Sequence, residues 1–417
     1  MNYKSVTGVR DVLPEEQPYW RWIEQKINKI TQLFGYVRVD PPIFEETRLF
    51  ERGVGDTTDI VEKEMYSFID KGDHSLTLRP EFTAGVMRLY IQNGLHKQPK
   101  PVKLYSLGPV FRYERPQAGR LRQHNQLNVE ALGEQDPALD FEIMSIAWQL
   151  YSELGFSGLK FQLNSTGCPV CRPGYIEKLK EYYRDHHDTI CNNCKNRLER
   201  NALRLLDCKE KQCQPVIEDA PVISEHLCSE CAIHFDELQS YLNETNHTFE
   251  INHKLVRGLD YYTKTVFEVW IQGIGSQNAM CGGGRYDGLI EQLGGEPTPG
   301  IGFGSGIDRI ILSMKEQGIT PPSLPSPRVY FCPLGDQVKR TTVRLVSELR
   351  QAGIGVYLSF GQKSMKAMMR DANRKNCQFA VIIGETEIEN NKVVLKTLDS
   401  GTQNQVHMDS LVEYLRA

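Results

Sequence analysis

Residues 108–133 read GPVFRYERPQAGRLRQHNQLNVEALG, and they give the clearest indication of the architecture. The pattern predicts two strands joined by a long basic loop, because successive side chains of a strand point to opposite faces. In the first strand, one face carries Val110, Arg112 and Glu114. In the second strand an apolar face lies opposite a polar one, with Leu127, Val129 and Ala131 against Gln126, Asn128 and Glu130.

The polar face of this hairpin predicts a binding site. Burying Arg, Glu and Gln side chains costs free energy unless they find polar partners, so a packed sheet with such a face is expected to bind something polar. The loop adds Arg115, Arg120 and Arg122, whose guanidinium groups suit phosphates. From this stretch alone, an edge hairpin with solvated polar residues is the alternative.

Length and composition indicate a soluble protein of two or three domains, with 417 residues, 40% hydrophobic and 24% charged. The N-terminus MNYKSVTGVRDVLPEE lacks the apolar core of a signal peptide, and no apolar run approaches ~18 residues. We therefore expect a cytoplasmic protein without a membrane segment. The net charge is −4, yet residues 328–417 carry 13 Lys and Arg against 9 Asp and Glu, so this segment alone is basic at +4.

Eight of the eleven cysteines fall in four pairs, Cys168 and Cys171, Cys191 and Cys194, Cys208 and Cys213, and Cys228 and Cys231. Two such pairs complete a tetrahedral four-thiolate zinc site, so the spacing predicts two structural zinc sites. The simplest pairing joins the first pair to the second and the third to the fourth. Free thiols are the alternative, and a reducing cytoplasm disfavours disulfides. The other three, Cys281, Cys332 and Cys377, are expected to be small packing residues.

Elements flanking the hairpin follow from periodicity and end signals. Apolar residues at helical spacing predict helices over Pro18–Phe34 and Asp140–Leu154. A short strand at Tyr36–Val39 ends at two prolines. The strand beginning at Leu76 leads through a turn holding Glu81 and Thr83 into a helix over Ala84–Gln92.

Glycine-rich segments close the first part of the chain. Residues 257–269 predict a turn entering a strand, and three consecutive glycines follow at 282–284. Glycines alternate through 300–306, a pattern that suits a strand passing closely under a nucleotide, and a helix follows over Ile307–Gln317. Arg309 lies in its first turn, where a cation opposes the helix dipole, so we expect it to face an anion.

The C-terminal part predicts a small domain of helices on a mixed sheet. Four prolines stiffen a linker at 321–327. Beyond it the pattern predicts strands at Val329–Cys332, Gly355–Ser359 and Phe379–Ile383, with helices at Gln337–Gln351 and Met365–Asn376. A hairpin with Asn390 and Asn391 at its turn and a final helix Ser410–Leu415 complete it.

Several of these motifs together resemble one family. Motif 2 of class II aminoacyl-tRNA synthetases is resembled by FRYE together with the arginine-rich loop and the second strand. The amino-acid sequence of residues 111–133 resembles that of the histidyl-tRNA synthetases. RGLDYY at 257–262 and GGGRYDGL at 282–289 are similar to signatures of that family. The first helix and strand resemble motif 1, which builds the dimer interface, and 300–309 resembles motif 3. The family has an insertion where the cysteines lie, but cysteines are not part of its general pattern.

The resemblance implies an α+β fold with an antiparallel-sheet catalytic domain. We expect catalytic parts at 1–166 and 241–320, a cysteine-rich insertion at 167–240, and a linker at 321–327. Residues 328–417 resemble the anticodon-binding domain of the synthetases for histidine, glycine, threonine and proline.

The resemblance also implies roles for individual residues. Glu81 and Thr83 match positions that hold the α-amino group of histidine, and Gln126 and Glu130 match those that bind the imidazole. The remaining histidine-binding positions are Arg257, Tyr261, Tyr262 and Tyr286. For ATP, Arg112 would hold the α-phosphate, Glu114 the adenine and Arg309 the γ-phosphate. Arg112 and Arg257 are the expected catalytic residues, and the tRNA acceptor end would meet Arg115, Gln117 and Arg122.

The implied activity is that of a histidine–tRNA ligase. Histidine and ATP would give histidyl-adenylate and pyrophosphate, and the acyl group would then pass to the 3′ end of tRNA(His). Mg²⁺ is the implied metal for ATP, and a homodimer the implied assembly.

Two alternatives remain at this point. The first is a non-catalytic paralogue, which the presence of Arg112, Arg257, Arg309 and the C-terminal domain disfavours. The second is a class II synthetase for another amino acid, which Gln126, Glu130 and RGLDYY disfavour.

Overall fold

The computed structural model describes residues 3–55, 58–117, 119–271 and 279–416. Two compact units make up the chain, Met1–Pro322 and Ser323–Ala417. Within the described ranges, no helix combines the length and the apolar character needed to cross a membrane.

An eight-stranded sheet forms the centre of the first unit, in the order β1-β5-β6-β11-β10-β9-β7-β8. The strands of this unit are β1 (Val37–Arg38), β2 (Phe44–Glu46), β3 (Tyr66–Ile69), β4 (Ser75–Leu78), β5 (Val102–Phe111), β6 (Gln123–Leu132), β7 (Leu159–Ser165), β8 (Phe249–Ile251), β9 (Thr263–Ile271), β10 (Ala279–Arg285) and β11 (Gly300–Gly306). Pairing is antiparallel from β5 through β7, and only the edge pairs β1–β5 and β7–β8 are parallel. A separate sheet contains β2, β4 and β3. The predicted antiparallel α+β fold is confirmed.

The helices of the first unit are α1 (Gln17–Leu33), α2 (Thr47–Val54), α3 (Thr83–Gln92), α4 (Pro137–Glu153), α5 (Arg172–Asp185), α6 (Asn192–Arg200), α7 (Gln214–Glu218), α8 (Ser229–Glu244), α9 (Leu289–Gln292) and α10 (Ile307–Glu316). Of these, α1, α4, α8 and α10 cover the apolar face of the eight-stranded sheet. Leu127, Val129 and Ala131 of β6 pack into one core with side chains of α1, α4 and α10, as their alternation predicts. Helix α4 begins earlier than predicted because Asp136 caps it and Pro137 occupies its first turn.

The first strand of the motif 2 hairpin ends earlier than the sequence predicts. Strand β5 ends at Phe111, so Arg112 and Glu114 lie in the loop and not on a strand face. The Arg112 N–H still donates to the carbonyl of Arg122 at 2.9 Å, but the chain then turns tightly, because the Glu114 N–H donates back to the carbonyl of Arg112 at 2.8 Å and the Tyr113 N–H donates to the carbonyl of Glu64 at 2.7 Å. The prediction that Val110, Arg112 and Glu114 share one strand face is therefore wrong.

The cysteine-rich insertion has a hydrophobic core of its own. Its buried residues include Tyr175, Leu179, Tyr183, Leu198 and Leu205, which come from α5, α6 and the turn after α6. The three remaining cysteines, Cys281, Cys332 and Cys377, are buried, as predicted for small packing residues.

The second unit is a five-stranded sheet in the order β13-β12-β14-β15-β16. Its elements are β12 (Val329–Pro333), α11 (Lys339–Gln351), β13 (Val356–Leu358), α12 (Met365–Arg374), β14 (Phe379–Ile383), α13 (Glu385–Glu389), β15 (Lys392–Thr397), β16 (Gln403–His407) and α14 (Leu411–Arg416). The strand and helix order matches the sequence prediction up to residue 383.

The predicted turn of the final hairpin is wrong. Asn390 and Asn391 end the short helix α13, and the hairpin β15–β16 turns at residues 398–402. The Gly384 N–H donates to the Glu387 carboxylate at 2.8 Å and so stabilises α13. Asn391 then adopts the left-handed conformation that commonly ends a helix, with φ of 49°.

Candidate active site

The polar face of β6 is buried against side chains from two other segments. Asn128 and Glu130 are 3% and 1% exposed. The Glu130 carboxyl accepts hydrogen bonds from Thr83 Oγ1 at 2.7 Å, from Asn128 Nδ2 at 2.9 Å and from the hydroxyl of Tyr286. Thr83 begins α3 and Tyr286 follows β10, so the fold brings together residues that are far apart in the sequence.

Burial changes the protonation of Glu130. It raises the pKa of this carboxyl to about 8, although the hydrogen bonds from Tyr286, Thr83 and Asn128 act in the opposite direction. Without a ligand, Glu130 is therefore largely protonated at neutral pH. A carboxyl group with a pKa of about 7 can form a hydrogen bond with either imidazole nitrogen, as a donor when protonated or as an acceptor.

A second buried carboxyl, that of Glu81, lies beside the first. It accepts the backbone N–H groups of Thr83 at 2.5 Å and Ala84 at 2.8 Å, at the N-terminus of α3. Burial raises its pKa, while those N–H donors and the charge of Arg112 lower it. Because Thr83 bonds to both carboxyls, the two acidic groups form one site, which suits a ligand carrying an ammonium group.

Three tyrosines form an aromatic wall next to Glu130. The ring centroids of Tyr261 and Tyr262 are 4.7 Å apart, and those of Tyr261 and Tyr286 are 5.6 Å apart in an edge arrangement. Tyr262 and Tyr286 are buried, and Tyr261 is half-buried. The wall and the two carboxyls make the site aromatic on one side and acidic on the other.

Glycines of β10 and β11 give these side chains their space. A Cβ at Gly302 would overlap the Glu130 carboxyl, one at Gly300 would overlap the Tyr286 ring, and one at Gly304 would lie 2.7 Å from Gln126 Nε2. The sequence predicted a nucleotide over this strand, but at Gly302 and Gly304 the structure places the protein's own Glu130 and Gln126. Since a strand rises ~3.3 Å per residue, the two side chains reach positions about 7 Å apart, close to the length of one amino acid.

Gln126 presents an unused acceptor. Its Oε1 atom is buried and has no hydrogen-bond partner among the described residues. Leaving such an acceptor unpaired costs free energy, so a donor from a ligand is expected to bind there.

Arg257 lies over β10 at the other side of the pocket. Its guanidinium occupies the space above Gly282, and its Nη1 forms an ion pair with Glu268. The other carboxylate oxygen of Glu268 accepts from Trp270 Nε1 at 2.6 Å. The sequence did not predict Glu268 as the partner, although an acidic residue within the apolar strand β9 was a signal for it.

Arg112 and Arg309 lie around the loop after β5. Arg112 Nε donates to the carbonyl of Pro80 at 2.8 Å, and its guanidinium forms no ion pair with any described residue. The half-buried Arg309 packs against loop residue Gly119, whose Cβ position would lie 3.2 Å from the guanidinium. Burial and the neighbouring charge of Arg120 lower the pKa of Arg309. The neighbouring guanidinium groups of Arg309 and Arg120 create a positive potential that attracts an anion such as a phosphate.

The acidic groups of this loop have partners of their own. Glu114 forms an ion pair with Arg120 at 3.5 Å. Burial raises the pKa of Glu64, and the neighbouring negative charge of Glu114 raises it further. Carboxylates of this kind can hold Mg²⁺ beside a polyphosphate.

The three residues predicted to meet the tRNA acceptor end lie in different environments. Arg115 and Gln117 are exposed. Arg122 instead stacks on the ring of Tyr113 at 3.9 Å and donates to the carbonyl of Glu114 at 3.2 Å. Arg122 therefore stabilises the base of the loop.

The eight paired cysteines converge on two clusters. Cys168, Cys171, Cys228 and Cys231 form the outer cluster, and Cys191, Cys194, Cys208 and Cys213 form the inner cluster. The predicted pairing of first with second and third with fourth is wrong: the first pair joins the fourth, and the second joins the third. The insertion folds back on itself, so its two ends meet at the outer cluster. The spacing of cysteines along the sequence cannot predict which pairs meet in this way.

Sulfur separations in both clusters fit a bound metal. In the outer cluster they are 3.7, 3.8 and 3.9 Å, and in the inner cluster 3.8 and 3.9 Å. A tetrahedron with Zn–S bonds of ~2.3 Å has edges of about 3.8 Å, whereas a disulfide would bring two sulfurs to ~2.05 Å. The donor set and spacing therefore fit Zn²⁺.

Comparisons with known proteins agree with this geometry. A sequence model described as histidyl-tRNA synthetase matches residues 8–169 and 184–310, and one described as anticodon binding domain matches residues 328–417. A histidine–tRNA ligase of Dehalococcoides mccartyi is 50% identical over 410 residues, 98% of each chain. One of Moorella thermoacetica is 48% identical over 409 residues, 98% of this chain and 97% of that protein.

A solved structure has a similar fold. The crystal structure of apo S. aureus histidyl-tRNA synthetase has a TM-score of 0.85 and 35% identity, with 100% of both chains covered. Relatives named as ligases over nearly the full length disfavour both alternatives raised by the sequence. The chain belongs to the histidyl-tRNA synthetase family of class II aminoacyl-tRNA ligases, and it charges tRNA with histidine.

Proposed function

We propose that the buried face of β6 is the histidine pocket of this ligase. Two features of this face together support the proposal. The Glu130 carboxyl has a pKa of about 8, and the buried Oε1 of Gln126 has no hydrogen-bond partner among the described residues. A pocket whose polar groups are left unpaired by the wrong ligand rejects it by ~10⁴ or more. Within this pocket Glu81 and Thr83 would hold the α-amino group, and Tyr261, Tyr262 and Tyr286 would enclose the ring.

ATP would lie on the arginine side of the pocket. Arg112 would contact the α-phosphate, Arg309 the γ-phosphate and Glu114 the adenine. When a histidine carboxylate oxygen attacks the α-phosphorus, negative charge increases on the phosphoryl oxygens while pyrophosphate leaves. Arg257, held in place by Glu268, would stabilise that charge together with Arg112. Mg²⁺, which ligases of this class use with ATP, would neutralise phosphate charge, with Glu64 and Glu114 as its candidate ligands.

The second step would place tRNA(His) across both units. Exposed Arg115 and Gln117 would meet the acceptor end, and Arg122 would support them through its stack on Tyr113. The basic second unit would bind the anticodon arm. As domain limits we propose 1–166 and 241–320 for the catalytic domain, 167–240 for the insertion, 321–327 for the linker and 328–417 for the anticodon-binding domain.

Zn²⁺ in both cysteine clusters would stabilise the insertion, because free energy of metal binding adds directly to folding in small metal domains. Metal analysis of the purified chain should find two zinc ions per chain. A chain without zinc would contradict this part of the proposal and leave the pocket unaffected.

A homodimer working in the cytoplasm is the assembly that we propose. In the motif 1 region, Leu33 and Val37 are 66% and 60% exposed, and β1 lies at the edge of the sheet, where no other strand of the described residues pairs with its second side. Exposed apolar side chains beside an open strand edge are typical of a surface that another copy covers. Light scattering of the purified chain tests the assembly.

One experiment tests the pocket. ATP–pyrophosphate exchange is measured with each amino acid in turn, and histidine alone should support rapid exchange. Exchange with another amino acid at a comparable rate would contradict the assignment of Gln126 and Glu130.

A further inference from the structure

We propose that the metal in the outer cluster positions the histidine-binding tyrosines, so that metal loading of this cluster sets the affinity for histidine. The inference rests on the proposed pocket and on the proposed zinc. It goes further, because it assigns the outer cluster a role in substrate binding that the inner cluster does not share.

The first half of the outer cluster is bonded to the pocket segment by Arg172. This residue directly follows Cys171 and begins α5. Its guanidinium donates to the carbonyl of Tyr262, to the carbonyl of Thr166 at 2.8 Å and to the carbonyl of Gly167 at 3.1 Å. The backbone of Arg172 is thus fixed by the adjacent cysteine turn, and its guanidinium is fixed by the backbone of Tyr262.

The second half of the outer cluster reaches the same segment from the other side. Glu230 lies between Cys228 and Cys231, and its carboxylate forms an ion pair with Lys264 Nζ at 2.6 Å. The Lys264 backbone donates to Gly167 at 2.8 Å and accepts from Thr166 at 2.7 Å. Lys264 has φ of 48°, a conformation that costs free energy in a residue with a side chain and persists only where neighbours impose it.

Residues 262–264 are therefore clamped by both halves of one metal site. Tyr262 packs on Tyr261, which packs on Tyr286, and Tyr286 bonds to Glu130. A metal that holds the two cysteine pairs together also holds Arg172 and Glu230 at a fixed separation. Without the metal the two cysteine pairs can move apart, and the three tyrosines lose the contacts that hold residues 262–264 in place.

The inner cluster lacks this connection. It lies within the separate hydrophobic core of the insertion. Among the described residues, that core packs against Val256, and an exposed hydrogen bond runs from Asn201 Nδ2 to Asp260 Oδ1 at 2.6 Å. Both contacts reach the segment before residues 262–264. A cysteine variant of the inner cluster is consequently a matched control, since it removes one metal from the same insertion.

The test compares full-length Cys228→Ser with Cys208→Ser. Zinc per chain is measured by mass spectrometry, histidine binding by calorimetry, and KM for histidine and for ATP by pyrophosphate exchange. Each variant should lose one of two zinc ions. Because small displacements of binding groups cost up to ~10²-fold, Cys228→Ser should raise the Kd and KM for histidine at least about tenfold with little change in KM for ATP. Cys208→Ser should change them less than about threefold.

Two variants that keep all eight cysteines complete the test and apply even if Cys228→Ser does not fold. Arg172→Lys and Glu230→Gln should retain two zinc ions and still weaken histidine binding. Equal effects of the outer and inner cysteine variants would overturn the proposal, as would normal histidine binding in Arg172→Lys and Glu230→Gln. A wild-type chain without zinc would overturn it as well, while histidine-specific exchange would then still support the pocket.

Discussion

Glu130 combines a role in the pocket with a role in the fold. It accepts hydrogen bonds from Thr83, Asn128 and Tyr286, so removing its side chain would leave these buried donors unpaired. Each unpaired donor costs ~1–3 kcal/mol, which makes an alanine variant ambiguous. Glutamine keeps the size of the side chain and one acceptor, but it cannot become a carboxylate.

We expect Glu130→Gln to lower kcat/KM for histidine in ATP–pyrophosphate exchange by about 10²-fold or more, with a melting temperature near that of the wild type. Glu142→Gln is the matched control, because that carboxylate pairs with Lys103 outside the pocket. Normal activation by Glu130→Gln, or an equal loss in the control, would contradict the assignment.

The raised pKa of Glu130 also predicts a pH dependence of stability. The carboxyl has a pKa of about 8 in the folded chain against an ordinary 4.5. Between these values the folded chain keeps a proton that the unfolded chain releases, so this contribution is complete below about pH 4.5 and is lost as the pH rises through about 8. The melting temperature of the wild type should therefore fall from pH 5.5 to 8.5 more than that of Glu130→Gln. Parallel curves for the two proteins would show that burial does not shift this group.

Arg257 is expected to act on the transition state. A preplaced guanidinium needs no reorganisation as charge develops, and removing one such group costs ~10²–10³ in rate. Arg257→Ala should therefore depress kcat for pyrophosphate exchange by about 10²-fold, far more than it raises KM for histidine. A variant with normal kcat and only a raised KM would show that Arg257 binds substrate without catalysing.

At the scale of elements, the glycines of β11 provide the floor of the site. Gly302→Ala would force its new methyl group into the Glu130 carboxyl and to 2.4 Å from the backbone oxygen of Val129, so its melting temperature is measured beside its activity. We expect this variant to lose histidine activation by about 10²-fold, because the carboxyl must leave its position, and to keep ATP binding. Gly174→Ala is the control, since nothing lies within 4 Å of its Cβ position. Wild-type histidine KM in Gly302→Ala would contradict the prediction.

Local patterns of the sequence predicted most elements, and long-range contacts account for the errors. Alternation in β6 identified both its buried apolar face and its polar face. The end of β5 could not be predicted, because beyond it the backbone of Tyr113 bonds to Glu64, a residue far away in the sequence. The cysteine pairing and the Arg257–Glu268 ion pair likewise depend on which segments meet in space.

At the scale of the whole molecule, we expect the first unit to carry out the chemistry and the second unit to bind the anticodon arm of tRNA. The second unit has its own hydrophobic core, built on Val329, Phe331, Leu345 and Val381. Its balance of +4 over residues 328–417 contrasts with −4 for the entire chain, so the rest of the chain is acidic at −8. An acidic catalytic unit gains little general attraction for tRNA, because such attraction comes from positive charge.

A chain ending near Ser326 should therefore still form histidyl-adenylate and charge tRNA poorly. Every residue assigned to histidine and ATP lies in the first unit, so pyrophosphate exchange should stay within about threefold of the full chain. Charging of tRNA(His) should fall by about 10²-fold or more, mainly through a higher KM for tRNA. The loss should be largest at low salt and shrink as salt rises, because a chain with fewer phosphate contacts depends less on salt. Equal charging by the two chains at equal salt would count decisively against anticodon binding by the second unit. Loss of pyrophosphate exchange would instead show that the first unit depends on the second for its active fold.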